Sequence, residues 1–219
     1  MLKLTKVSKM HETGTRAVAA LRDISLSVSP GELVAIMGPS GSGKSTLLNL
    51  AGLLDRPTSG EVFIDGRETS RLSETERAAI RRRDVGFVFQ SYNLIPSLTV
   101  LENVALPLSF DGNKSARELA SQALAEVGID NLADTYPGLI SGGEAQRVAI
   151  ARALAGTRRL LLADEPTGAL DTATGDQVME LLRSRITGDT AGVLVTHEPR
   201  FAAWADRTIY LRDGMIHDV

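Results

Sequence analysis

The stretch Leu33-Val34-Ala35-Ile36-Met37-Gly38-Pro39-Ser40-Gly41-Ser42-Gly43-Lys44-Ser45-Thr46 decides the fold. Its first five residues form an unbroken apolar run, which reads as a buried strand, and Leu47-Leu48-Asn49-Leu50-Ala51 continues as a helix. Strand, then G-x-x-x-x-G-K-[ST], then helix is a phosphate-binding loop in the context that confirms it. The glycines let backbone N–H groups curl around an anion, and the helix N-terminus adds its partial positive charge. Gly38, Pro39, Ser40, Gly41, Ser42, Gly43, Lys44, Ser45 and Thr46 are therefore candidate nucleotide-binding residues. Lys44 is suited to the β- and γ-phosphates, and the Ser45 hydroxyl to Mg²⁺.

Outward from this loop, short β-rich runs recur at Leu2–Val7, Ile24–Val28, Glu61–Ile64, Val85–Phe89, Leu160–Ala163, Gly192–Thr196 and Thr208–Leu211. Helical stripes lie between several of them, such as Ala116, Leu119, Ala120, Ala123, Leu124 and Val127. The alternation predicts an α/β fold, a P-loop NTPase core with a mostly parallel sheet. The first 30 residues and Glu61–Gly66 predict a flanking antiparallel β-subdomain, and residues 91–141, which carry no strand signal, an inserted helical subdomain. The whole of 1–219 reads as one domain. The run Arg81-Arg82-Arg83 reads as a solvated helix end.

Composition narrows the class. A net charge of −3, from 24 basic and 27 acidic residues, gives no field for nucleic acid. The absence of cysteine rules out disulfides and thiolate metal sites, and suits a reducing compartment. Neither a signal peptide nor an apolar run of the roughly 18 residues that a membrane span needs is present. A cytoplasmic chain is expected, with any membrane role supplied by a partner.

Two further motifs carry chemistry. Leu160-Leu161-Leu162-Ala163 ends in Asp164-Glu165, and carboxylates at the C-terminal end of a parallel strand face the ligand crevice. Asp164 would belong to the Mg²⁺ shell, and Glu165 would orient or deprotonate a water. Ser141-Gly142-Gly143-Glu144 opens a helix, and Ser141-x-x-Glu144 is a capping box on its own account. The cap does not explain two consecutive glycines, each costing about 1 kcal/mol in a helix; close approach to a group such as a phosphate does.

With these motifs in order, the chain resembles the ATP-binding-cassette (ABC) ATPases over essentially its whole length. The resemblance implies ATP with Mg²⁺, and an ATP sandwich in which Ser141, Gly142 and Gly143 of one copy close over the phosphate loop of a second copy. It implies that Gln90 contacts Mg²⁺ and the lytic water, that Glu165 is the catalytic glutamate, that Asp171 crosses the dimer and that His197 is the γ-phosphate switch. Two features depart from the family pattern. Ile140 and Glu144 flank the glycines, and His11 stands nearest to the place where an aromatic normally stacks on adenine.

The segment Phe89–Pro96, with Leu98–Val104, looks like the macrolide-exporter and lipoprotein-releasing branch. Its permeases have a large extracytoplasmic domain, and docking is expected near Gln90–Val104, which would hold the chain at the cytoplasmic face of the membrane. With the sequence ending at Val219, no regulatory domain like that of some importers is expected. An exporter or extractor subunit is the favoured reading. A cell-division type ATPase that drives a cell-wall process without moving cargo is the alternative, and a soluble ABC ATPase of DNA repair or translation is disfavoured because the chain lacks a coiled-coil insertion and a second cassette.

Overall fold

The computed structural model describes residues 1–13 and 16–217. Its central sheet has the strand order β10-β9-β3-β8-β7-β6. These strands are β3 (Leu33–Met37), β6 (Val85–Val88), β7 (Leu160–Asp164), β8 (Ala191–Val195), β9 (Arg207–Arg212) and β10 (Met215–His217). All pairings are parallel except that of the edge strand β10. A second, antiparallel sheet runs β2-β1-β4-β5, from β1 (Leu2–Thr13), β2 (Arg16–Val28), β4 (Ser59–Ile64) and β5 (Arg67–Glu68). The expected α/β class with a flanking antiparallel sheet is what the structure shows.

β3, β7 and β8 are buried at every position, as parallel strands covered on both faces must be. Successive side chains alternate between two cores. Leu160 and Leu162 face the antiparallel sheet and helix α1 (Lys44–Ala51), while Leu161 and Ala163 face a helical layer. That layer comprises α3 (Val100–Phe110), α4 (Ala116–Glu126), α5 (Gly142–Leu154) and α6 (Thr172–Arg185), with α2 (Glu74–Asp84) and the short α7 (Pro199–Ala202) completing the helices. Between residues 91 and 141 lie α3, α4 and two 3₁₀ turns.

Register fixes the working edge. Val88 pairs with Ala163, Ala163 with Leu194, and Val195 with both Asp164 and Ile36. The C-terminal ends of four strands are therefore level, which brings Gln90, Asp164-Glu165, His197 and the turn after Met37 to one side.

Two expectations needed revision, and one strand was not anticipated. β1 and β2 extend as a hairpin well beyond Leu2–Val7 and Ile24–Val28, because backbone pairing continues through residues such as Lys9, Met10, Val18 and Ala19 that do not alternate between an apolar and a polar face. β10 is a three-residue edge strand too short to signal itself. Arg81, Arg82 and Arg83 do end α2, but they are tied down: Arg81 reaches Leu53 O and Glu74, and Arg83 pairs with Asp111.

Asn103 holds the approach to α3. It is fully buried; its Oδ1 accepts from Ile95 N at 2.7 Å, and its Nδ2 lies 3.0–3.1 Å from the carbonyls of Ile95, Leu98 and Thr99. Asn103→Ala strands these groups and is expected to cost about 2–3 kcal/mol. A fall in the denaturant midpoint checks this.

Candidate active site

The turn after β3 is shaped by its glycines. Gly38 has φ 151°, and a Cβ there would stand 2.0 Å from Leu211 O; Gly43 has φ 105°, and its Cβ would stand 2.4 Å from Ala20 O. Neither position admits a side chain. Lys44 folds back so that Nζ donates to Gly38 O and Pro39 O, each at 2.8 Å. α1 begins there with no side-chain cap and no acidic residue in its first turn, which leaves N–H groups and the positive end of the helix dipole facing the turn. Ser42 Oγ is buried without a partner.

Opposite lies an acidic wall. Asp164, 8% exposed, accepts the Ser45 hydroxyl. Burial pushes its pKa up, against the Ser45 hydrogen bond and the charge of Lys44. Glu165 follows with φ 49°, held by its N–H to Val195 O at 3.0 Å. His197 Nδ1 lies 2.8 Å from Glu165 Oε1. An ionised carboxylate only accepts, so Nδ1 carries the proton and Nε2 is left to face outward. The hydrogen bond that His197 donates to Glu165, then the charge of Glu165, raises the His197 pKa.

Gly38–Gly41, Gly43–Thr46, Gln90, Asp164, Glu165 and His197 line one cleft of about 520 Å³. Its donors and glycine cradle fit a polyphosphate, and the hard oxygens of Ser45 and Asp164 fit Mg²⁺.

Other expected site residues lie outside it. Ser141 caps α5: its Oγ accepts Glu144 N–H, and Glu144 Oε2 accepts the Ser141 N–H and Oγ–H at 2.8 and 2.7 Å. Gly142 is exposed, and Gly143 packs on Ala169 O, where its Cβ would stand 3.5 Å away. The Ser141-Gly142-Gly143 turn and the 168–171 segment thus form one separate surface. Asp171 caps α6, accepting from Ala173 and Thr174. His11 is exposed on β1, with Nε2 3.5 Å from Thr46 Oγ1, and does not line the cleft. Sequence reasoning missed Ala20, whose carbonyl abuts Gly43, because a backbone contact leaves no residue signature.

Two measurements follow from the electrostatics. His197 is expected to titrate above an ordinary histidine by NMR and to fall back in Glu165→Gln. Its raised pKa contributes stability that is fully present below the unfolded value and lost as pH rises through the folded one. Asp164 has the opposite consequence: an acid whose folded pKa is raised destabilises the fold once ionised. Asp164→Asn is therefore expected to raise the thermal midpoint at neutral pH, with the gain shrinking on acidification.

Comparison with known proteins places these features. The family described as ABC transporter matches residues 21–168. The chain is 48% identical over 224 residues to the uncharacterized ABC transporter ATP-binding protein MJ0796 of Methanocaldococcus jannaschii, covering 99% of this chain and 95% of that protein. It is 46% identical to the macrolide export ATP-binding/permease protein MacB of Syntrophobacter fumaroxidans, covering 99% of this chain but 31% of MacB. A dimeric structure of the MJ0796 cassette in a post-hydrolysis state, bound to ADP and Pi, superposes with a TM-score of 0.95 at 46% identity, covering 100% of this chain and 97% of that one. The chain belongs to the ABC transporter family, as an ATP-binding cassette ATPase with relatives in the macrolide-exporter branch.

Proposed function

We propose that this chain, one cassette spanning 1–219 with its helical insert at about 91–141, works as a homodimer that powers a membrane permease of the exporter or extractor type. The carrying observation is the division of the site. One chain holds a phosphate cleft with its carboxylates, while the Ser141-Gly142-Gly143 turn faces solvent elsewhere, available to a second copy. The dimeric MJ0796 cassette supports this reading.

In each half-site Lys44 and the loop N–H groups hold the β- and γ-phosphates, and the partner copy's turn closes over the γ-phosphate. His11 flanks the adenine side, and the 168–171 segment with Asp171 borders the dimer seam. Ser45, Asp164 and Gln90 would hold Mg²⁺, which supplies charge neutralisation on the phosphates. Glu165, oriented by His197 at Oε1, takes a proton from water. The water oxygen bonds to the γ-phosphorus, the bond to the β-phosphate oxygen breaks, and ADP leaves with that electron pair. In its imidazolium form, protonated on both nitrogens, His197 also donates from Nε2 to the γ-phosphate. Hydrolysis removes the bridge between the copies and reopens the dimer.

The permease side rests on an apolar groove of about 320 Å³, beside Gln90 and running to the end of α3. Phe87 and Phe89 stack at 4.2 Å on its floor, and Leu54 and Phe110 are 44% and 70% exposed at its rim. Arg81 and Arg82 border it, which suits a short permease helix carrying an apolar face and an acidic edge. MacB, which joins ATP-binding and permease parts in one protein, supports a partner of this kind. Such attachment places the chain at the cytoplasmic face of the membrane.

Two outcomes test the proposal. Glu165→Gln is expected to lower kcat by about 10²–10⁴-fold and to accumulate an ATP-bound dimer in size-exclusion chromatography; unchanged turnover would contradict the assignment. Phe110→Asp is expected to leave basal hydrolysis intact and abolish stimulation by a co-purified permease in vesicles.

A further inference from the structure

Arg152 stands on α5 between the buried Ala151 and Ala153, and burial alone lowers its pKa to about 10. Among the described residues no carboxylate pairs with it. Its partners are two consecutive carbonyls far away in sequence: Nη1 donates to Asn93 O at 2.7 Å, and Nη2 donates to Tyr92 O. Both residues occupy the left-handed region, with φ 59° for Tyr92 and 50° for Asn93. For a bulky tyrosine that conformation is unfavourable and persists only where surrounding contacts impose it. The planar guanidinium fork meets both carbonyls at once, which a lysine ammonium on its flexible stem does not reproduce.

The same segment touches α5 a second time. The Tyr92 hydroxyl lies 3.4 Å from where a Cβ on Gly142 would stand, at the exposed turn that opens the helix. Gly142 and Arg152 are separated by roughly 15 Å of helix, so the segment is hydrogen-bonded near one end of α5 and lies close against the other. Gln90, at the cleft, is two residues before Tyr92.

We infer that Arg152 and Tyr92 are positioning residues that latch the segment behind Gln90 onto α5. Gln90, in one nucleotide cleft, and the Ser141-Gly142-Gly143 turn, offered to the other, then move as one body. Arg152 also lines the apolar groove, so a permease helix seated there presses on the latch itself. The inference rests on the two-site reading above and adds the residues that connect its parts.

The test is a kinetic cycle on the full chain with Mg-ATP. Arg152→Lys keeps the charge but loses the fork, and is expected to lower kcat about tenfold with KM for ATP nearly unchanged. In a Gln90→Ala background the same substitution is expected to change kcat by less than about twofold, because the latch acts through Gln90. An equal loss in both backgrounds, or no loss in either, overturns the inference. Amide exchange without nucleotide provides a second readout: Arg152→Lys is expected to speed exchange at residues 91–94 and 144–148 together, sparing α6, and acceleration confined to 91–94 overturns it. If Gln90→Ala turns over ATP like wild type, the role given to Gln90 fails and the exchange result alone decides the latch. Should Arg152→Lys not fold, Tyr92→Ala, at a partly exposed position, is carried through both measurements with the same expectations.

Discussion

Parallel pairing of β6, β7, β8 and β3 in one register is the constraint on which the rest of the molecule depends. Because the pairing holds the four strand ends level, the Gly38–Thr46 loop, Gln90, Asp164-Glu165 and His197 meet in one cleft although these groups lie far apart in sequence. The buried strands leave no freedom to slip: a shift of one residue would exchange Leu160 and Leu162 for Leu161 and Ala163 between two differently shaped cores. Packing on both faces thereby fixes the spacing between the phosphate loop and Glu165, and a nucleotide needs that spacing to be set before it arrives.

The cleft itself stores unfavourable elements that a purely stable protein would avoid. Asp164 is buried with its pKa pushed up, Glu165 has a left-handed φ, and Gly38 and Gly43 accept positive φ. Each has an evident use toward a bound phosphate and its metal, which is the usual place for strain in an enzyme. Outside the cleft, three helix N-termini are satisfied by their own side chains. Ser141 and Glu144 close a capping box like those of Ser73 with Glu76 and Thr99 with Glu102. The turn is thus preformed in the single chain, and a second copy would meet a rigid N-terminus of α5.

Much of this was legible from residues alone. The apolar run into Gly38–Ser45 specified strand, loop and helix, and Leu160–Ala163 ending in carboxylates specified where they must sit. The hairpin lengths of β1 and β2 were not legible, because pairing there rests on backbone groups. Arg152 and Asn103 escaped notice for the same reason. Their partners are carbonyls, which every residue carries, and no spacing rule links Arg152 to Asn93 across 59 residues.

The central claim is that a complete ATP site needs two copies of this chain. The absence of native cysteine makes the direct measurement clean. Ser40→Cys, in the exposed phosphate loop, is placed in one population. Ala169→Cys, exposed beside the Ser141-Gly142-Gly143 turn, is placed in another, both in a Glu165→Gln background that retains ATP. The mixture is treated with a short bis-maleimide. The account predicts a linked product containing one chain of each kind, formed with ATP and not without it. Failure of that mixed product to form with ATP would contradict the two-copy site.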